Sequence, residues 1–323
     1  MRALRFERVG DVDALHVAGV PEPEPAGGEV RVRVVAAGLN PSDLKNVLGR
    51  FPYTTVPRTP GRDFVGVVEQ GPAELLGREV WGTGSELGFT REGSHAELLT
   101  LPADAVTARP RSLSFAQCAA CGVPYTTAMI ALERAGTSSG AGVLVIGAGA
   151  VGKAAIDVAR WQGARVVGAV RDPDQVASLH AQGTPTVALG HPDALRDAII
   201  THFASGADVI FDTTGAWLAP AVPALAAFGR IAIIAAPHDG HERVPVLALY
   251  RKGGSIVGVN SLLYDARACA PMMARLASGF DGGALPPPAP PVEVPLADGV
   301  QAYKDVERGS PRKIVLTPEP GAS

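Results

Sequence analysis

The sequence predicts an α/β chain: a parallel sheet covered by helices on both faces in the middle, and β-rich segments at either end. Three observations carry this. From about residue 143 to 259, continuous apolar strands alternate with helical segments, the pattern of a doubly wound parallel sheet. The first hundred residues instead hold short strands separated by Gly and Pro. Between the first central strand and its helix lies a glycine motif.

Residues 29–37 (EVRVRVVAA) alternate polar and apolar side chains at period two, as a half-buried strand requires. Residues 63–69, 79–83 and 95–101 add short strands. Residues 41–48 read as a helix, with Pro41 at its start and Gly49 just past its end. From Ser114 the run SFAQCAACGVPYTTAMIALERAG reads as a buried helix start, a break at 122–124 and a second helix. The centre then alternates VLVIG, AVGKAAIDVARWQ, ARVVGAV, DPDQVASLHAQ, ADVIFDTT, the helical WLAPAVPALAAF, and RIAIIAA. A strand at 255–259, a helix at 266–277, a stiff Pro-rich connector at 285–291 and a last strand at 313–316 complete the chain.

Composition narrows the function. At 323 residues, 46% hydrophobic and 19% charged, the chain has ample apolar material for about two domains. A net charge of −3 argues against nucleic acid or an anionic membrane surface as partner. No apolar run reaches the roughly 18 residues of a membrane helix, and the N-terminus lacks the apolar stretch of a signal peptide. Three cysteines make no disulfide framework, so a reducing cytoplasm is expected. Cys118 and Cys121 form a C-x-x-C without a partner pair and read as a buried pair. The seven histidines are scattered and read as structural or solvated.

Gly147-Ala148-Gly149-Ala150-Val151-Gly152 follows a strand and opens a helix, the context that gives G-x-G-x-x-G its meaning. Gly147 permits the tight turn and Gly149 admits a pyrophosphate. Gly152 lets helix and strand pack closely, while the N–H groups at Ala150 and Val151 face the phosphate charge. Gly147 to Lys153 also fits G-x-x-x-x-G-K. Ala154 stands where a Walker A loop needs Ser or Thr for Mg²⁺, so an NTPase is rejected. The tip of the second strand is Val170-Arg171, followed by Asp172. Arg171 suits the 2′-phosphate of NADPH, whereas Asp172 lies at about the spacing of an NAD-type carboxylate; NADPH is favoured.

Taken together, AAGLNPSD (36–43), TPGRDFVGVVE (59–69), GVPYTTA (122–128), the glycine motif, FDTTG (211–215) and the terminal RKIVL resemble the zinc-free quinone oxidoreductase branch of the medium-chain dehydrogenase/reductase superfamily. The likeness spans nearly the whole chain. It implies a GroES-like catalytic domain from residues 1–120 and 264–323 and a Rossmann NADP-binding domain over 121–263, with the active site in the cleft between them. It also implies a homodimer paired through the edge strand at 255–259. Zinc-dependent relatives hold catalytic metal with Cys, His and a third Cys or Asp; the matching positions here are Asn40, Arg62 and, approximately, Val123, which is no ligand set. The four-cysteine zinc lobe has no room at 71–77.

The resemblance further implies that Asn40, Thr126 and Thr127 lie near the nicotinamide, that Lys313 approaches the cofactor phosphates, and that Asp43 and Asp63 orient these groups. Each also has a plain structural reading: a turn for Asn40, helix-start hydrogen bonds for the threonines, loop or strand-end charges for the aspartates. Relatives often carry Tyr in a G-x-Y-P segment near the substrate. Here that segment is Gly49-Arg50-Phe51-Pro52, with Tyr53 as a substitute hydroxyl.

Without a metal to polarise a simple ketone, hydride transfer favours acceptors that delocalise the incoming charge. The expectation is therefore an NADPH-dependent, metal-independent reductase of a quinone or an α,β-unsaturated carbonyl (enone). The alternatives are a zinc-independent carbonyl reductase and a catalytically weak NADPH-binding sensor.

Overall fold

Six parallel strands form the central sheet of the computed structural model, which describes residues 1–318. The chain divides into two compact units, Met1–Thr126 with Ser261–Ser323, and Thr127–Asn260.

In the Thr127–Asn260 unit the strands lie in the order Thr186–Ala188, Arg165–Val170, Gly142–Ile146, Ala207–Asp212, Leu225–Ile233 and Ser255–Gly258. In chain order within the sheet this is 3-2-1-4-5-6, the dinucleotide-binding arrangement, with its reversal between Gly142–Ile146 and Ala207–Asp212. Every residue of Gly142–Ile146 is buried, which explains its unbroken apolar run. The helix Ala150–Trp161 buries Gly152, Ala154, Ala155, Ile156, Val158 and Ala159 and exposes the opposite side.

One expectation is corrected here. The segment WLAPAVPALAAF is not all helix: the helix is Leu218–Ala224, and Leu225 begins a strand. Pro223 has no N–H to continue a helical ladder, and Leu225 is already extended. Leu225 pairs with Ala207, whereas Arg230 pairs with Val209, so residues 226–229 bulge out of register. Phe228 sits in this bulge at φ +62°, 81% exposed.

The Met1–Thr126, Ser261–Ser323 unit holds a seven-stranded sheet and a two-stranded hairpin, Arg2–Phe6 with Leu15–Gly19, which the sequence pattern did not reveal. The sheet runs Val292–Pro295, Ile314–Thr317, Glu29–Leu39, Asp63–Gln70, Glu79–Gly82 and Thr107–Ala108, with Leu98–Pro102 paired to the start of Glu29–Leu39. The strand expected at 95–101 is thus shorter; residues 95 and 97 instead bond singly to the first hairpin, Leu4 N–H to His95 O and Glu97 N–H to Arg2 O. The Pro-rich connector leads into Val292–Pro295, a strand not anticipated from sequence. Two apolar clusters flank this sheet. One joins Leu4, Phe6, Leu39, Leu44, Tyr303 and Leu316, and the other joins Val30, Val32, Phe64, Val68, Leu99 and Leu101. No helix among the described residues is long and apolar enough to cross a membrane.

Candidate active site

Asn40 ends the strand Glu29–Leu39 and caps the helix Pro41–Val47. Its backbone N–H donates to Asp43 Oδ2 at 2.8 Å, the reciprocal half of a capping box. Its side-chain amide also reaches across the fold: Nδ2 donates to Asp63 Oδ2 at 2.9 Å, and Oδ1 accepts from Lys313 Nζ. Asp63 opens the strand Asp63–Gln70, and its Oδ1 accepts the Val123 N–H at 2.8 Å. That N–H is one of the unsatisfied donors in the first turn of the helix Gly122–Arg134. This helix begins where a break was expected, because Pro124 lies in a first turn that needs no N–H from it.

Lys313 Nζ also donates to Leu39 O at 3.1 Å and lies 3.8 Å from Asp63 Oδ2. The structure therefore gathers Asn40, Asp43, Asp63 and Lys313 in one largely buried cluster of amide, carboxylates and ammonium. The approach of Lys313 to cofactor phosphates expected above has a rival, since its ammonium is already engaged by Leu39 O and Asn40. Burial pushes Asp43 up to about 7, the neighbouring Asp63 carboxylate adding to the rise. Asp43 Oδ1 has no hydrogen-bond partner. Burial pulls Lys313 below the usual lysine range, against the opposing pull of Asp63 and Asp43.

The threonines behave differently from one another. Thr126 Oγ1 donates to Gly122 O at 2.8 Å, the helix-start bond that was its plain alternative. The Thr127 hydroxyl is buried with no partner. Tyr53, 45% exposed, packs with Phe51 and Phe89 at centroid distances of 5.9 and 5.8 Å. Asn46 Nδ2 holds this aromatic group in place by donating to Gly88 O at 2.6 Å, and Thr55 N–H by donating to Phe89 O at 3.0 Å.

In the Thr127–Asn260 unit the glycine motif can be tested against a dinucleotide by the room each position leaves. Gly147 has φ +97°, and a Cβ there would meet Thr213 Oγ1 at 2.4 Å. A Cβ on Gly152 would meet Gly147 O at 2.0 Å. A Cβ on Gly149 would meet nothing within 4 Å: it would project into the open space before the helix N-terminus. Gly149 is the N-cap of Ala150–Trp161 and supplies no capping side chain, so the first N–H groups at Ala150 and Val151 remain available. The residues present fit a pyrophosphate.

Two features went unassigned in the sequence. Within FDTTG, Asp212 Oδ1 accepts from Thr214 N–H at 2.8 Å and Oδ2 from Trp217 N–H at 3.0 Å; Thr213 Oγ1 donates to Ile146 O at 2.8 Å. These bonds fix the loop at the strand-order reversal, next to Gly147. A strand ending in Asp-Thr-Thr-Gly was the available signal. Arg62, weighed only as a missing ligand, is a buried cation.

At the second-strand tip, Arg171 is exposed. Asp172 Oδ1 accepts the Asp174 N–H at 2.9 Å and so caps the helix Pro173–Ala181. His95 is buried between Gly38 O, 3.2 Å from Nε2, and the Tyr303 hydroxyl, 2.9 Å from Nδ1; the other six histidines are exposed. No group of three or more His, Cys, Asp or Glu that could hold a metal ion is found among the described residues.

Comparison with known proteins agrees with this architecture. Residues 26–111 match the alcohol dehydrogenase GroES-like domain family, and residues 150–278 the zinc-binding dehydrogenase family. The chain is 36% identical over 291 residues to a zinc-type alcohol dehydrogenase-like protein of Schizosaccharomyces pombe, covering 88% of this chain and 86% of that one. It is 29% identical to the quinone oxidoreductase of Sus scrofa, covering 98% and 97%. A crystal structure titled NAD-dependent alcohol dehydrogenase superposes with a TM-score of 0.86 at 29% identity, covering 98% of this chain and 99% of that one. Members of this oxidoreductase family bind a nicotinamide cofactor. The chain belongs to the medium-chain dehydrogenase/reductase superfamily, in its quinone oxidoreductase-like branch.

Proposed function

We propose that this protein is an NADPH-dependent, metal-independent reductase of quinones or α,β-unsaturated carbonyls. The observation that carries the reading is the Asn40 side chain. By the resemblance it stands where zinc-binding relatives place a cysteine, and its amide is engaged by Asp63 and Lys313.

NADPH, when bound, supplies the hydride. The residues do the rest. The N–H groups at Ala150 and Val151 would hold the pyrophosphate, and Arg171 would pair with the 2′-phosphate. Capping draws Asp172 toward its own helix and leaves Arg171 the stronger claim on that end. Asn40, Thr126 and the unpartnered Thr127 hydroxyl would hold the nicotinamide end. Asp43, Asp63 and Lys313 keep Asn40 in one orientation. Tyr53 offers a proton to the reduced substrate. The chain acts as a homodimer paired along Ser255–Gly258, a reading supported by the exposed Phe228, Val246, Leu247 and Tyr250. Its three free, buried thiols suit a reducing cytoplasm.

A panel of quinones, enones and aldehydes assayed with NADPH and with NADH tests this. Quinone or enone turnover with NADPH is expected, insensitive to chelator. Preferential aldehyde reduction points to the carbonyl reductase, and NADPH binding without turnover to the sensor. One stoichiometric zinc, lost together with activity, rejects metal independence.

A further inference from the structure

Arg62 is 1% exposed, and its Nε donates to Gly84 O at 2.9 Å. No ion pair of this guanidinium and no hydrogen bond of its two Nη nitrogens is found among the described residues. Neither nitrogen is among the fully enclosed polar atoms that lack a partner, so the little of Arg62 that is exposed lies at its charged tip.

A guanidinium taken out of water without a counter-charge is costly, and it persists where a ligand completes it. Its charge draws the Asp43 carboxyl down against the larger effect of burial, but no carboxylate forms an ion pair with it among the described residues. Asp63 is already engaged by Val123 N–H, Asn40 and Lys313, and burial favours the neutral form of Asp43. The charge of Arg62 acts on Tyr53, the half-exposed member of the aromatic group, and on Cys269, buried on the helix Ala266–Asp281. The result is a forked donor without an ion-pair partner, whose charge is felt at Tyr53 of the aromatic group.

We infer that Arg62 is a catalytic residue that binds the carbonyl oxygen of the substrate through its Nη–H groups and stabilises the negative charge arriving there. This rests on the function proposed above. In an enone, hydride addition forms a C–H bond at the β-carbon. The C=C pair shifts to the bond between the α-carbon and the carbonyl carbon, and the C=O pair moves to oxygen. Two electrons pass from NADPH to the enone, leaving NADP⁺ and an enolate whose full negative charge faces Arg62. A proton from Tyr53 or solvent then forms the new C–H bond at the α-carbon. In a quinone the hydride bonds to one carbonyl oxygen, the ring π pairs shift to make it aromatic, and the charge settles on the other oxygen as a phenolate, which then takes a proton. Arg62 thus supplies the electrophilic function that a metal supplies in zinc-binding relatives, by hydrogen bonding alone.

The test uses 4-nitrophenol on the full-length protein without NADPH, because its phenolate carries the charge of the reduced oxygen and absorbs separately from the phenol. Wild type should bind the phenolate at least about tenfold more tightly than the phenol; Arg62→Met should abolish this preference and Arg62→Lys should retain part of it. With NADPH and a quinone, Arg62→Met should lose roughly 10²- to 10³-fold in kcat, while its NADPH dissociation constant stays within about twofold of wild type. Should Arg62→Met fail to fold, the wild-type and Arg62→Lys titrations decide. The inference is overturned if wild type shows no phenolate preference or no binding, or if Arg62→Met keeps either the preference or a kcat within about threefold of wild type. If wild type reduces neither quinones nor enones, the functional reading fails and the phenolate titration alone decides the role of Arg62.

Discussion

Lys313 donates its ammonium to the side-chain oxygen of Asn40, a residue 273 positions earlier in the chain. Both then meet Asp63: Asn40 through a hydrogen bond and Lys313 as an ion pair. Removing the lysine leaves a buried carboxylate without its cation. Lys313→Met is therefore expected to cost about 3 kcal/mol of stability, since breaking a buried pair exposes an uncompensated charge. Adding Asp63→Asn should recover part of that loss. Urea unfolding of the two single variants and the double variant measures the coupling.

Asp43 and His95 pull stability in opposite directions with pH. The Asp43 carboxyl is raised to about 7 in the folded protein, from 3.8. Its contribution is fully present below pH 3.8 and is lost as the pH rises through 7. Burial lowers the His95 imidazole to about 4 from 6.5, so its contribution is present above 6.5 and is lost as the pH falls through 4. Between about pH 4 and 6.5 these slopes oppose. Asp43→Asn should unmask the histidine, giving a Tm that rises from pH 4.5 to 6.5 and then levels. A Tm profile parallel to wild type would contradict this.

The glycine motif predicts two substitutions with opposite effects. A Cβ at Gly149 would meet nothing within 4 Å, so Gly149→Val should keep the wild-type Tm and lose most of its affinity for dinucleotide. A methyl at Gly152 would lie 2.0 Å from Gly147 O, so Gly152→Ala should lower stability by about 1–3 kcal/mol, as overpacking does. Thermal unfolding and NADPH fluorescence titration separate the two.

Arg171→Ala should raise the Michaelis constant for NADPH by about 10- to 100-fold and leave NADH little altered, since a hydrogen bond to a charged group is worth roughly 1.5–3 kcal/mol. Asp172→Ala should act instead on the helix it caps, costing about 1 kcal/mol of stability with a small effect on cofactor choice. A wild type that prefers NADH would sink the assignment to Arg171.

The parts of the fold with a strong local period were legible. The buried run of Gly142–Ile146 and the alternation in Glu29–Leu39 follow from which faces the sheets cover. The Arg2–Phe6 hairpin was not, because its partner Leu15–Gly19 is mostly exposed and carries little apolar signal. Nor was the strand start at Leu225, which depends on a bulge rather than on pattern. The glycine positions could be read singly, each from its own steric demand. Asn40, Asp63 and Lys313 were joined only by the resemblance, since nothing local links strand ends so far apart. Arg62 was invisible as a donor because its character lies in the partners it lacks, and that is a property of three dimensions only.

The pairing of Ile314–Thr317 with the end of Glu29–Leu39 has a consequence for biosynthesis. The Thr127–Asn260 unit is one continuous stretch, so on the ribosome it can complete its sheet while later residues are still being made. The sheet that carries Asn40 must wait. Its strand Glu29–Leu39 emerges early and pairs at its start with Leu98–Pro102, but its end at residues 37–39 stays open, a template for wrong pairing, until residues 314–316 arrive. A slow codon or a stalled ribosome between residues 260 and 314 would therefore hold the chain with a finished parallel sheet and an unfinished seven-stranded one. That is the window in which a chaperone would find it.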